Sequence, residues 1–186
     1  RIISYADASF TQIWRIQKSY AYGSGYDKMM FTLLDGSAGV LWASEDDWTE
    51  ADGWTHWVLT YDGQGGENAA VNGIKVYKNG VAQDIASTSY GSKTNASYSN
   101  MDIGGVNPDL AIGAKYYSAS GELDEFNGFL TEMAIYIGTE LTAAQALELY
   151  NGGQWKNLKR TSTVNPTAWW RMGSNIEGTA PHYTII

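Results

Sequence analysis

Cysteine is absent from the 186 residues, which excludes disulfides and any thiolate metal centre. The two histidines, His56 and His182, stand far apart in the chain, so a histidine-based zinc site is not expected. Basic residues are scarce: 12 Lys and Arg face 20 Asp and Glu, for a formal net charge of −8. That sign opposes nucleic acid and anionic membrane surfaces as partners, while it permits calcium, cationic partners or plain solubility. Hydrophobic residues make up 44% without forming a long apolar run, so no membrane insertion is expected. The chain opens on Arg1 rather than Met, with no signal-like segment, and reads as a processed product or an excerpt of a longer polypeptide.

What is abundant points to sheet. The 21 Gly, 13 Tyr and 8 Trp set against 3 Pro suit a twisted sheet protein with many tight turns, of a length that buries a real core. The stretch from Gly121 to Gly153 organises the rest. From Gly128 onward, Thr131, Met133, Ile135 and Ile137 share one face of a strand, and Leu130, Glu132, Ala134 and Tyr136 the other. Thr142 then reads as a helix N-cap, with Gln145 closing a capping box and Leu141 and Ala146 forming a hydrophobic staple. Ala143, Ala146, Leu147 and Tyr150 fall on one helical stripe, and Asn151-Gly152 supplies the stop.

Other elements follow from local pattern. Two short strands are expected between Ile2 and Ile16, the better one at Thr11 to Ile16. Lys28 to Leu34 and Gly39 to Ser44 read as a hairpin. Trp54 to Tyr61 is a strong strand that puts Trp57, Leu59 and Tyr61 on one face and His56, Val58 and Thr60 on the other. Ile74 to Val81 is a hairpin around Asn79-Gly80, a strong signal for a type I′ turn. Leu110 to Ala114 is a further strand.

At Phe126-Asn127-Gly128-Phe129-Leu130-Thr131-Glu132-Met133-Ala134-Ile135-Tyr136, followed by Leu141-Thr142, the sequence resembles the closing signature of laminin-G-like domains of the concanavalin A-like lectin/glucanase superfamily. Thr131 departs from that signature, standing where the family has Asp. Three more stretches resemble the family in the same order: Gln12-Ile13-Trp14, Trp54 to Gly63, and the hairpin at Ile74 to Val81. The strand at Leu110 to Gly113 is similar to another family strand. The resemblance covers about residues 11 to 153. It implies an all-β fold, a two-sheet antiparallel jelly roll with one short helix near the C-terminal side. A domain over 1–153 and an extension over 154–186 are expected. Val164 to Gly173 resembles the segment that follows such domains in marine phage structural proteins, and also their opening strand. It is expected either to begin a second unit or to close the sheet.

Chemistry is harder to find. Glu122 and Asp124 have the spacing of paired carboxylates on one strand face, as in laminarinase-type relatives. Phe126 and Asn127 stand where the third carboxylate would, and Glu125 points to the opposite face, so no catalytic residue and no enzyme activity is expected. For calcium, which many members of the superfamily bind, the candidates are Asp62 and the pair Asp46-Asp47; Asp62-Gly63 also reads as an ordinary turn opener. Trp48, Tyr90, Tyr98, Tyr116 and Tyr117 lie outside the expected core faces and are candidates for stacking on sugar rings, although aromatics in a sheet protein more often serve core or inter-subunit packing. His56 reads as a packed strand residue, and Trp169-Trp170-Arg171 as an interface anchor.

The expected function is a non-catalytic structural and adhesion module. Its place is a virion surface (capsid decoration, fibre or tail) or the extracellular space, as a homo-oligomer or array with other surface proteins. Host glycan binding is compatible with that reading. A secreted lectin-like module is the alternative, and a glycoside hydrolase the least favoured.

Overall fold

The computed structural model describes residues 1–6, 12–19, 28–35, 38–44, 47–64, 73–84, 109–114, 125–160 and 162–172. Their elements are antiparallel strands with one α-helix, an all-β protein. The chain divides into two compact units: Arg1–Gly53, Tyr61–Lys75 and Gln83–Asn127 form one, and Trp54–Thr60, Val76–Ala82 and Gly128–Ile186 the other.

The first unit carries a five-stranded sheet. Its strands are β1 (Ile3–Ala6), β2 (Gln12–Ser19), β3 (Lys28–Asp35), β4 (Ala38–Ala43) and β8 (Asp109–Ile112), in the order β4-β3-β2-β1-β8. Register follows the hairpins expected from sequence. Asp35 faces Ala38 across the β3–β4 turn, and Ile3 faces Ile16 on one side and Ile112 on the other. Tyr5 and Trp14, register partners, stack with ring centroids 5.8 Å apart, the kind of cross-strand pair that stabilises a sheet. From Lys28 to Leu33 every residue of β3 is buried, so both faces of this strand are covered. A buried lysine needs a counter-charge, and Lys28 finds one in Asp47 at 3.0 Å.

The second unit contains most of a three-stranded sheet, β5 (Trp57–Tyr61), β6 (Ile74–Lys78) and β7 (Val81–Ala82), and a two-stranded ribbon of β9 (Met133–Ile135) with β10 (Ala168–Trp170). Val58 and Thr60 form the buried face of β5, as the alternation requires. Helix α1 (Ala143–Tyr150) begins at Thr142. The Thr142 N–H donates to Gln145 Oε1 at 2.9 Å, and the Gln145 N–H donates back to Thr142 Oγ1 at 3.3 Å. This is the capping box the sequence announced, and Asn151 at φ 50° ends the helix in the left-handed region. Leu141 and Ala146 join Val58, Tyr77, Leu149 and Leu158 in one core cluster, on which Ala134 and Tyr136 also pack.

Two expectations need correction. The strand read through residues 130–137 is regular only at Met133–Ile135, because Glu132 at φ 52° breaks the extended backbone before it. The helical stripe is also rotated: Ala146 and Leu149 are buried, whereas Ala143 is exposed and Leu147 is 58% exposed. Leu147 lies against the β6–β7 turn instead. That turn is Asn79-Gly80, with φ of 52° and 77°, the type I′ geometry expected. A Cβ at Gly80 would sit 2.8 Å from Leu147 Cδ1 and 3.1 Å from the Leu147 Cα.

Gly80 therefore meets two demands at once, a left-handed backbone and a close approach by the helix. Gly80→Ala should cost roughly 2 kcal/mol from the backbone term and the clash together. Urea unfolding of the variant beside the native chain measures it.

Candidate functional site

Hydrophobic side chains left in water are the first place to look for a binding surface. In the second unit Trp54 and Phe129 are each 64% exposed, yet their rings meet with centroids 6.4 Å apart and planes inclined by 45°. Both residues fall just outside regular strand. Trp54 precedes β5 by three residues, and Phe129 lies in the irregular segment before β9. An indole and a phenyl ring that touch each other but keep most of their faces open form a platform for C–H groups.

Hydrogen-bonded residues stand close in sequence to each ring. Two residues after Trp54, the His56 N–H donates to Asn79 Oδ1 at 2.9 Å and the Asn79 N–H donates to the His56 carbonyl at 2.8 Å. The His56 ring packs 6.0 Å from Tyr150, and burial holds its pKa below the ordinary value of 6.5, so it is a neutral packing residue. Three residues after Phe129, so within about 11 Å of chain reach, stands Glu132. Its carboxylate accepts from Trp155 Nε1 at 3.1 Å and from Trp169 Nε1 at 2.7 Å. The Arg171 guanidinium lies over both indoles, 4.7 Å from the Trp155 ring and 5.2 Å from that of Trp169, with its Nε 3.7 Å from Glu132. Burial raises the Glu132 pKa, against the lowering effect of the two indole bonds and Arg171. The left-handed backbone of Glu132 is held by this polar knot, at a strain cost of about 1–3 kcal/mol.

A second carboxylate is also committed. Glu148 of α1 accepts from Lys156 Nζ at 2.7 Å and from the Thr163 N–H at 2.8 Å, and the Thr163 hydroxyl donates to it as well. Those bonds hold its pKa down to about 2. Tyr136 has its hydroxyl buried without a hydrogen-bond partner, and burial pushes its pKa up to about 12. Glu132 and Glu148 are thus occupied as acceptors, whereas Trp54 and Phe129 are largely exposed.

The residues singled out from sequence fare differently. Trp48 stacks on Phe126, centroids 6.4 Å apart and planes inclined by 16°, with Lys18 Nζ 5.8 Å over its ring. It is a packed side chain. Asp47 is the partner of Lys28, and Asp62 Oδ1 accepts from the Gln64 N–H at 2.8 Å in a local turn. Among the described residues no three His, Asp or Glu side chains converge. Asp46, Tyr90, Tyr98, Tyr116, Tyr117, Glu122 and Asp124 lie outside the described residues. Trp169 and Arg171 enter the Glu132 knot. The sequence pattern starts its strands at Trp54 and Gly128, whereas regular strand begins only at Trp57 and Met133, which leaves Trp54 and Phe129 in irregular segments beside Gly53 and Gly128.

Glu132→Ala would leave two half-buried indole N–H groups without their acceptor. The expected loss is about 2 kcal/mol in urea unfolding. Glu148 has a folded pKa below its unfolded 4.5, so its contribution to stability is complete above 4.5 and is lost as the pH falls towards 2. Glu148→Gln should therefore flatten the acid limb of a plot of Tm against pH and leave its shape above pH 5 unchanged. Comparison with protein-family models, with curated proteins and with solved structures returned no match.

Proposed function

We propose that this chain is a non-catalytic adhesion module that binds glycans on the Trp54–Phe129 platform. The observation that carries the reading is the pair itself: two large aromatic rings, mutually in contact and each 64% exposed. Pyranose rings present an apolar C–H face that packs on an aromatic ring while their hydroxyls stay hydrated, so such a pair gains contact area without burying polar groups. The commitment of Glu132 and Glu148 to internal bonds agrees with a role that is not hydrolytic. The resemblance of the sequence to laminin-G-like domains agrees with a lectin-like role on a jelly-roll scaffold. Such a module belongs where glycans are met, on a virion or in a secreted protein. No helix among the described residues is long and apolar enough to cross a membrane.

Saturable binding of the purified chain to a panel of polysaccharides, measured in calcium and again in chelator, tests the proposal. Trp54→Ala and Phe129→Ala should each weaken binding about tenfold, equivalent to about 1.4 kcal/mol, with an unchanged Tm. Loss in chelator would add a calcium requirement. Absence of binding in both conditions would reject the glycan role and leave an assembly part of a larger particle.

A further inference from the structure

Four Asn-Gly pairs stand in the chain, at 72–73, 79–80, 127–128 and 151–152, and Asn72 lies outside the described residues. Asn-Gly is the dipeptide most open to spontaneous deamidation, because glycine has no Cβ to shield its backbone nitrogen from the preceding side chain. The Gly nitrogen attacks the Asn Cγ and a new N–Cγ bond forms. The Cγ–Nδ2 bond breaks, and the amide leaves as ammonia with the proton shed by the Gly N–H. Water then opens the cyclic imide at either carbonyl, giving aspartate or isoaspartate. The pair and water suffice for the reaction, provided the Asn side chain can swing over the next nitrogen.

The fold decides which of the three described pairs can do so. Asn79 Oδ1 accepts from the His56 N–H at 2.9 Å, and the helix presses on the next residue, where a Cβ at Gly80 would sit 3.1 Å from the Leu147 Cα. Asn151 Nδ2 donates to the carbonyls of Gln154 at 3.2 Å and Trp155 at 3.4 Å, while its backbone forms the helix stop at φ 50° and ψ 36°. Swinging either side chain breaks those bonds first. Asn127 and Gly128 are both exposed, outside any strand or helix. Neither the Asn127 side chain nor the Gly128 N–H makes a hydrogen bond to a described residue. We infer that Asn127-Gly128 is a modification site, the pair at which the folded chain deamidates ahead of Asn79-Gly80 and Asn151-Gly152. Reaction there spares the turn under α1 and the helix stop. It leaves an added carboxylate, and in isoaspartate an extra backbone carbon, two residues before Phe129.

Incubation of the folded chain in mildly alkaline buffer, followed over time by peptide mapping with mass spectrometry, tests the inference beside a parallel series in concentrated urea. Conversion at Asn127 should run at least about tenfold faster than at Asn79 or Asn151 in the folded chain, the size of effect that one or two hydrogen bonds supply. In urea the three rates should converge, since the reacting residues are the same and the fold no longer distinguishes them. A smaller lead for Asn127 in the folded chain would overturn the inference. A lead that persists in urea would overturn it too, by assigning the difference to flanking sequence.

Discussion

The left-handed turn at Asn79-Gly80 is the constraint on which the second unit depends. It reverses the chain between β6 and β7 and leaves out a Cβ where Leu147 of the helix approaches. Asn79 also exchanges backbone and side-chain hydrogen bonds with His56, which sets the entry to β5. Two residues earlier stands Trp54. A local backbone requirement thus brings helix α1, the entry to β5 and the residues next to Trp54 together. The buried bond from the Leu141 N–H to Thr60 Oγ1, at 3.1 Å, ties the residue before the helix to the same strand.

Two carboxylates in this unit tie distant segments of the chain together. The Glu132 carboxylate collects two indole N–H bonds and a stacked guanidinium, and so fastens residues 155, 169 and 171 to the segment before β9. Glu148 does the same for residues 156 and 163. Both carboxylates supply connection within the unit, while Trp54 and Phe129 stay largely in water.

Much of the local structure was legible in advance. Turn chemistry at Asn79-Gly80 and the Thr142–Gln145 capping box depend on residues one to three positions apart, and both appear as expected. The strand alternation at Val58 and Thr60 held for the same reason. Structure departs from local pattern where distant residues decide. Glu132 leaves the extended backbone because Trp155, Trp169 and Arg171 hold its carboxylate, and nothing near Glu132 in sequence signals that. Leu147 turned from the core because it covers the turn at Gly80. Trp48 was a candidate for stacking on sugar, but Phe126 and Lys18 cover it from distant parts of the chain.

By itself, then, the amino-acid sequence determined the class of fold, the hairpins, the helix with its cap and stop, and the absence of disulfide chemistry. Periodicity, turn residues and composition act over short range, so they survive in the one-dimensional pattern. Only the tertiary structure decided which aromatic rings are packed and which stand open. Exposure is the outcome of every long-range contact a side chain makes or fails to make. Trp48 and Trp54 lie six residues apart and are chemically identical, yet Trp48 is half-buried with Phe126 stacked on it and Lys18 over its ring, while Trp54 beside Phe129 is 64% exposed.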